Sequence, residues 1–360
     1  MKAEIAVMTA ENIDRKAIAR GGEILKNGGL VAFPTETVYG LGGNALDPKA
    51  SMKIYAAKGR PSDNPLIVHI ADIRDLDKIV TEVPEKARVL AEKYWPGPLT
   101  MILPKADIVP KETTGGLDSV AVRFPSDPIA QELILAAGGY VAAPSANTSG
   151  RPSPTTAGHV AEDLGEAIDM IIDGGQVNIG LESTIVDFTE DIPVVLRPGY
   201  ISLEMLRETL GDVRMDKGLI KPDSKVHPKA PGMKYRHYAP KADLAIVEGS
   251  TEGVIAEIER RAGEAEDKGL TVGIIATDET KGRYSHGIVK SIGSREQEET
   301  IAHHLYEVLR DFDNCNVSAI YSEAFFTPRM GQAIMNRLLK AAGHKIINVE
   351  EEKENDSTGM

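Results

Sequence analysis

From about Asn12 to Leu210, short apolar runs rich in β-branched residues alternate with helix-period stretches punctuated by glycine and proline. That alternation predicts a mixed α/β domain. LVAFPTET reads as a strand breaking into a loop. Asp47-Pro48 supplies an N-cap and first-turn proline for a helix through SMKIYAAK that stops at Gly59. Ser126-Asp127-Pro128 opens another helix, Gly138-Gly139 closes it, and YVAAPSAN, TIVDF and VVLRPG read as further strands.

Between residues 214 and 242 no period of either kind is visible. From Asp243 the alternation resumes: DLAIVEG, a helix from Val254 to about Asp267, TVGIIAT, a helix from about Gln297 to Asp311, VSAIYSEA, a helix near Gly331–Ala342, and KIINV. This order predicts a small parallel sheet with a Rossmann-like layer arrangement. The organisation expected is therefore a first α/β domain over 1–213, a linker over 214–242, a smaller second α/β domain over 243–348, and an acidic, disordered tail over 349–360.

Composition narrows the function. With 41 basic and 54 acidic side chains in 360 residues, the formal net charge is −13, the wrong sign for a surface that grips a nucleic-acid backbone. The charge is uneven, however. Residues 214–242 hold eight Lys/Arg against two Asp, and the block APGMKYRHYAP within them is too chemically loaded for a plain linker, so a lid is expected there. A single cysteine, Cys315, excludes an internal disulfide and a multi-cysteine zinc site. No run is apolar enough to cross a bilayer and no leader is evident, so a cytoplasmic protein is expected.

No P-loop, dinucleotide fingerprint, H-E-x-x-H or G-x-S-x-G segment occurs. The adjacent pair His303-His304 is expected to point in different directions on its helix, and no residues are assigned as metal ligands. Four polar clusters remain: Pro34-Thr35-Glu36-Thr37 with Tyr39; Lys58-Gly59-Arg60 through Asn64; Pro144-Ser145-Ala146-Asn147 through Ser153; and Glu182-Ser183-Thr184 with Arg197-Pro198-Gly199. Two cations spaced by a glycine can hold a polyphosphate. Each cluster alone also reads as an ordinary solvated turn or polar loop. His69, after PLIV, is either a site residue or a satisfied core histidine, and Trp95 in WPGP is expected to be a structural anchor.

Taken together, FPTETVYGLG, KGRPSDNPLIVHIA, WPGPLT, GGLDSVAVRFP, APSANTSGRPSPT, IIDGG, ESTIVD and LRPG resemble, in order, the motifs of the YrdC-like family. They include its K-x-R and S-x-N signature, here Lys58, Arg60, Ser145 and Asn147. APGMKYRHYAPKA with the second α/β unit resembles the long, two-domain form of that family, the threonylcarbamoyl-AMP synthases. The resemblance implies a twisted mixed-sheet catalytic domain plus a smaller Rossmann-like one, and a nucleotidyltransferase that makes L-threonylcarbamoyl-AMP and pyrophosphate from L-threonine, bicarbonate and ATP. A tRNA threonylcarbamoyl transferase would consume the product. It further implies a threonine site at Thr37, His69, Arg123, the backbone of Ala143, and Ser183. The ATP site would hold Arg60, Asn64, Ser119, Ser145, Ser153 and Arg197, beside Lys58 and Asn147, with Tyr235 and His237 folding back from the linker and magnesium arriving with the nucleotide. Carbamate attack on a phosphate joins two anions, so cations and oriented donors should dominate catalysis and no protein nucleophile is needed. The rival readings are a YrdC-like module that binds RNA without catalysis, and carbamoyl transfer in hydrogenase maturation, which the single cysteine disfavours. In a third, the second domain serves only as a sensor or docking unit.

Overall fold

The computed structural model describes residues 2–216, 229–230 and 237–350. They form two compact units, the second holding residues 237–350 together with the tripeptide Gly150–Pro152. In the first, the strands are β1 (Glu4–Val7), β2 (Val31–Phe33), β3 (Gly40–Asn44), β4 (Ile67–His69), β5 (Leu99–Pro104), β6 (Ser119–Arg123), β7 (Val141–Ala142), β8 (Met170–Asp173), β9 (Thr184–Asp187), β10 (Val194–Arg197) and β11 (Arg214–Met215). They join in the order β1-β8-β2-β3-β7-β4-β6-β5-β9-β10-β11, with parallel and antiparallel neighbours mixed. The helices are α1 (Arg15–Lys26), α2 (Pro48–Lys58), α3 (Leu76–Ile79), α4 (Glu85–Tyr94), α5 (Pro128–Ala136), α6 (Ala157–Leu164) and α7 (Leu203–Leu210).

Strand alternation sends side chains to two cores. Ala32 and Ile171 face one that takes Ile54, Leu90 and Val160 from α2, α4 and α6; Val31, Phe33, Met170 and Ile172 face the other, with Leu25 of α1 and Leu133 of α5. Local chemistry sets the helix ends. Asp47 accepts from Lys49 N ahead of Pro48, and Gly59 closes α2 in the left-handed region at φ 61°; Asp127 accepts from Ala130 N ahead of Pro128. The glycines of β3 admit Phe33: a Cβ on Gly42 would come within 3.0 Å of that ring.

The second unit contains β12 (Asp243–Glu248), β13 (Val272–Ala276), β14 (Ile288–Ser291), β15 (Ala319–Glu323) and β16 (Ile346–Asn348), all parallel, in the order β14-β13-β15-β12-β16. Helices α8 (Thr251–Glu266), α9 (Glu298–Asp313) and α10 (Gly331–Ala341) connect them.

Four expectations change. The stretch without visible period begins with a strand, because Arg214 and Met215 pair with Val194 and Val195 on the exposed edge of β10. In YVAAPSAN only Val141 and Ala142 form a regular strand, with Ala143 N donating to Ile67 O at 2.9 Å and an isolated bridge from Ser145 to Gly40 beyond Pro144. Val349, placed in the tail, is 5% exposed in the core of the second unit; residues 351–360 lie outside the described residues. His303 and His304 do not diverge: side-chain rotation brings their ring centroids to 4.9 Å, edge to face. Among the described residues no helix is long and apolar enough to cross a membrane.

Candidate active site

Parallel pairing of β4 with β6 makes His69 and Arg123 register partners at the carboxyl ends of their strands. Both are buried. His69 Nδ1 lies 3.1 Å from Ile67 O, and burial, reinforced by the Arg123 charge, pushes the imidazole down to about 3, so it is neutral at physiological pH. Arg123 Nη2 lies 2.7 Å from Glu36 Oε1, with both side chains less than a tenth exposed. The contact is one of charge and not of hydrogen-bond geometry. Glu36 Oε1 and Oε2 and Arg123 Nε and Nη2 are buried with no hydrogen-bond partner in the protein.

Glu36 is delivered by the loop between β2 and β3. Thr35 Oγ1 shapes that loop by donating to Val38 O at 2.6 Å, accepting from Thr37 N at 3.2 Å and approaching Thr37 Oγ1 at 2.9 Å. Tyr39 does more than pack. Its hydroxyl donates to Gly175 O at 2.6 Å and accepts from Gly174 N at 3.2 Å, pinning the loop to the turn after β8.

Ser183 precedes β9 beside Thr100 of β5, their hydroxyls 2.7 Å apart. Arg197, at the end of β10, donates to Ser183 O at 3.0 Å and to Ser183 Oγ at 3.2 Å. Gly199 makes this approach possible, because a Cβ there would lie 2.5 Å from Thr184 N and 2.8 Å from Glu182 O.

Lys58, the last residue of α2, is 2% exposed. Its Nζ donates to Ser145 O at 2.5 Å and to Asn147 O, and Ser149 N donates to Lys58 O at 2.8 Å. Arg60 donates to Asn64 O at 3.1 Å and Pro65 O at 3.0 Å. Both cations therefore fasten loops through backbone carbonyls, and their loss would reach the fold as well as any ligand. Ser145 Oγ donates to Asn147 Oδ1 at 2.5 Å, and the buried Asn64 Oδ1 has no partner. Ser153 Oγ donates to Glu182 Oε1 at 2.6 Å. The Ala143 N–H is taken by Ile67 O at 2.9 Å, leaving its carbonyl as the backbone group open to a ligand.

Not every expected residue converges. Ser119 starts β6, about 13 Å along the strand from Arg123 at ~3.3 Å per residue, so it can reach only a ligand as long as a nucleotide triphosphate. Tyr235 lies outside the described residues. His237 belongs to the second unit, where its ring meets Tyr238 at 5.6 Å and Tyr238 meets Tyr306 at 5.1 Å. Trp95 is the expected anchor, donating from Nε1 to Leu99 O at 2.7 Å.

Sequence reasoning sets aside one carboxylate and misses two. Glu36, in view within PTET, reads as a base toward the amine too weak to assign, and nothing local ties it to Arg123. Glu182 had no signal for its bond to Ser153. Asp127 read only as a cap; it is also pushed up to about 6, by burial first and then by the charge of Glu36.

Residues 23–199 match a family model described as telomere recombination, that of the Sua5, YciO and YrdC proteins, and residues 201–343 match one described as threonylcarbamoyl-AMP synthase, C-terminal domain. A threonylcarbamoyl-AMP synthase of Bacillus subtilis is 51% identical over 331 residues, covering 92% of this chain and 94% of the relative. One from Pyrococcus abyssi is 47% identical over 345 residues, covering 96% and 99%. The crystal structure of P. abyssi Sua5 complexed with L-threonine matches with TM-score 0.90 at 45% identity, covering 97% of this chain and 99% of that one. A chain that matches both family models and whole two-domain relatives from end to end belongs to the Sua5/YciO/YrdC family, in its long form.

Proposed function

We propose that the chain is a threonylcarbamoyl-AMP synthase, converting L-threonine, bicarbonate and ATP into L-threonylcarbamoyl-AMP and pyrophosphate. The observation that carries this reading is the buried Arg123–Glu36 pair, whose unused donors and acceptors lie beside Thr37 at the mouth of the sheet. An arginine with two unpartnered nitrogens suits the threonine carboxylate as a bidentate partner. Thr37, His69, Ser183 and the Ala143 carbonyl complete the threonine site. Arg60, Asn64, Ser119, Ser145, Ser153 and Arg197, with Lys58 and Asn147, form the ATP site. The cations lower the repulsion between carbamate and α-phosphate, and the fixed loops hold attacking oxygen and phosphorus in line.

Among the described residues no group of three or more His, Cys, Asp or Glu could hold a metal ion. In this reading magnesium enters as the ATP complex, with phosphate oxygens as its main ligands.

The linker closes over the nucleotide in this reading. Lys229 and Ala230 of the linker pack within the first unit: Ala230 is fully buried among Ile67, Ile102, Ala121, Ile185 and Leu196, and Lys229 Nζ donates to Asp187 Oδ2 and Glu190 Oε1, each at 3.1 Å. A segment held there would exclude water and protect a labile adenylate. The product passes to a tRNA threonylcarbamoyl transferase in the cytoplasm. The charge of −13 speaks against stable tRNA binding by this chain.

The test is to incubate the purified full chain with ATP, bicarbonate and a panel of amino acids, following pyrophosphate and the adenylate by mass spectrometry. Threonine-dependent release of both is expected, and its absence ends the reading.

A further inference from the structure

We propose that Glu36 is a catalytic residue: the threonine zwitterion inserts into the Glu36–Arg123 pair, and Glu36 then takes the proton that the amine must lose to form the carbamate. The inference rests on the threonine site proposed above.

The pair is the electrostatic mirror of an α-amino acid. Glu36 Oε1 and Arg123 Nη2 are 2.7 Å apart, both side chains are buried, and four of their own polar atoms make no hydrogen bond within the protein. A buried carboxylate and guanidinium whose hydrogen-bonding atoms go unused within the protein are costly to keep. A threonine carboxylate on Arg123 places the ammonium, one carbon away, within reach of a carboxylate already touching that arginine. Two ion pairs then replace one, and no charge is left alone.

Chemistry requires an acceptor here. Threonine binds as an ammonium ion, which has no lone pair with which to attack carbon. In the balanced step the nitrogen bonds to the bicarbonate carbon and the carbon–hydroxyl bond breaks. The hydroxide leaves as water with one ammonium proton, a second proton passes to Glu36, and the third stays on the carbamate nitrogen.

The surroundings decide which group can accept. His69 from β4 lies beside Arg123 of β6, and its imidazole, pushed down to about 3 by burial and then by the Arg123 charge, is a poor base. Asp127 at the cap of α5 is influenced by both Glu36 and Arg123, but it is already committed to Ala130 N at 2.9 Å. Beyond Asp127 lie the Tyr39 hydroxyl, held in its neutral form by burial, and Asp173. Once the substrate carboxylate pairs with Arg123, both Glu36 oxygens, which make no hydrogen bond within the protein, are available to receive the ammonium proton.

The test uses the full chain, following threonine-dependent pyrophosphate release from pH 6.5 to 9.5. Glu36→Gln should lower kcat about 100-fold or more at pH 7, the range a positioned base supplies, and raise KM for threonine while leaving KM for ATP unchanged. The deficit should shrink steadily as pH rises, because solution then supplies the free amine. Glu36→Asp should recover part of kcat. A deficit constant with pH, or no deficit, overturns the proposal. If Glu36→Gln fails to fold, Glu36→Asp decides it: a displaced acidic limb supports the role and an unmoved limb refutes it. Parent protein inactive at every pH would instead overturn the function reading.

Discussion

Each unit buries a carboxylate against an arginine, and the two pairs differ in how completely they are satisfied. In the second unit Glu323 Oε1 accepts from Thr280 Oγ1 at 2.5 Å and Tyr284 OH at 2.8 Å; Oε2 accepts from Arg295 Nη2 at 2.7 Å, and Arg295 Nη1 donates to Ala324 O at 3.0 Å. In the first, Glu36 and Arg123 share charge but no hydrogen bond. A closed network has nothing to offer a ligand and serves the fold. An open one keeps donors and acceptors desolvated and aimed, which is what binding a zwitterion needs.

The largest expected effect comes from the open pair. Arg123→Ala should lower threonine-dependent pyrophosphate release by two orders of magnitude or more with ATP binding retained, since one charged donor at a dry site is worth that much. Near-normal turnover would remove Arg123 from the site. Next, Glu323→Leu should destabilise the second unit by about 3 kcal/mol, seen as a lower-temperature melting transition, because it strands Arg295, Thr280 and Tyr284 together. The contrast is Glu36→Leu with Arg123→Met, which removes both charges and leaves no orphan. It should change the melting of the first unit by less than about 1 kcal/mol, or raise it, while abolishing activity. If this double variant melts as low as Glu323→Leu, the distinction between open and closed pairs fails.

Lys58→Ala should cost about 2 kcal/mol of stability on top of its loss of turnover, as two buried carbonyls lose a charged donor. Turnover lost with an unchanged melting temperature would assign it to the ligand alone. The smallest effect is a slope. His69 binds a proton in the unfolded chain near pH 6.5 but in the fold only near 3, so acidification through that window favours unfolding by up to about 1.4 kcal/mol per pH unit. Asp127, pushed up to about 6, acts oppositely between its unfolded value near 4 and 6. Thermal melts from pH 6.5 to 4.5 should therefore fall less steeply for His69→Asn than for the parent. Parallel curves would show that the histidine titrates normally.

Much of this was legible because its causes are local. Asp47-Pro48 and Gly59 state the ends of α2, and Asp127-Pro128 the start of α5, through turn geometry that each residue carries by itself. The parallel character of the second sheet followed from strand–helix alternation. Strand order did not, since nothing in Thr184–Asp187 says that it pairs with both Leu99–Pro104 and Val194–Arg197. Nor did the true state of Lys58. Its charge suggested a phosphate clamp, but the carbonyl that holds it at 2.5 Å is 87 residues away. The motifs named the candidate residues, whereas the partnership of Glu36 with Arg123 depends on a loop meeting a strand end from a distant part of the chain.

Gly199 carries no charge and has no side chain to add to a core. Yet any Cβ there would drive into Thr184 N and Glu182 O and push apart the strand ends that hold Arg197 against Ser183. Every missense change one nucleotide from a glycine codon introduces a Cβ. The gene is therefore as brittle at this codon as at those for the charged residues, and the damage would register as a lost enzyme without any lost functional group.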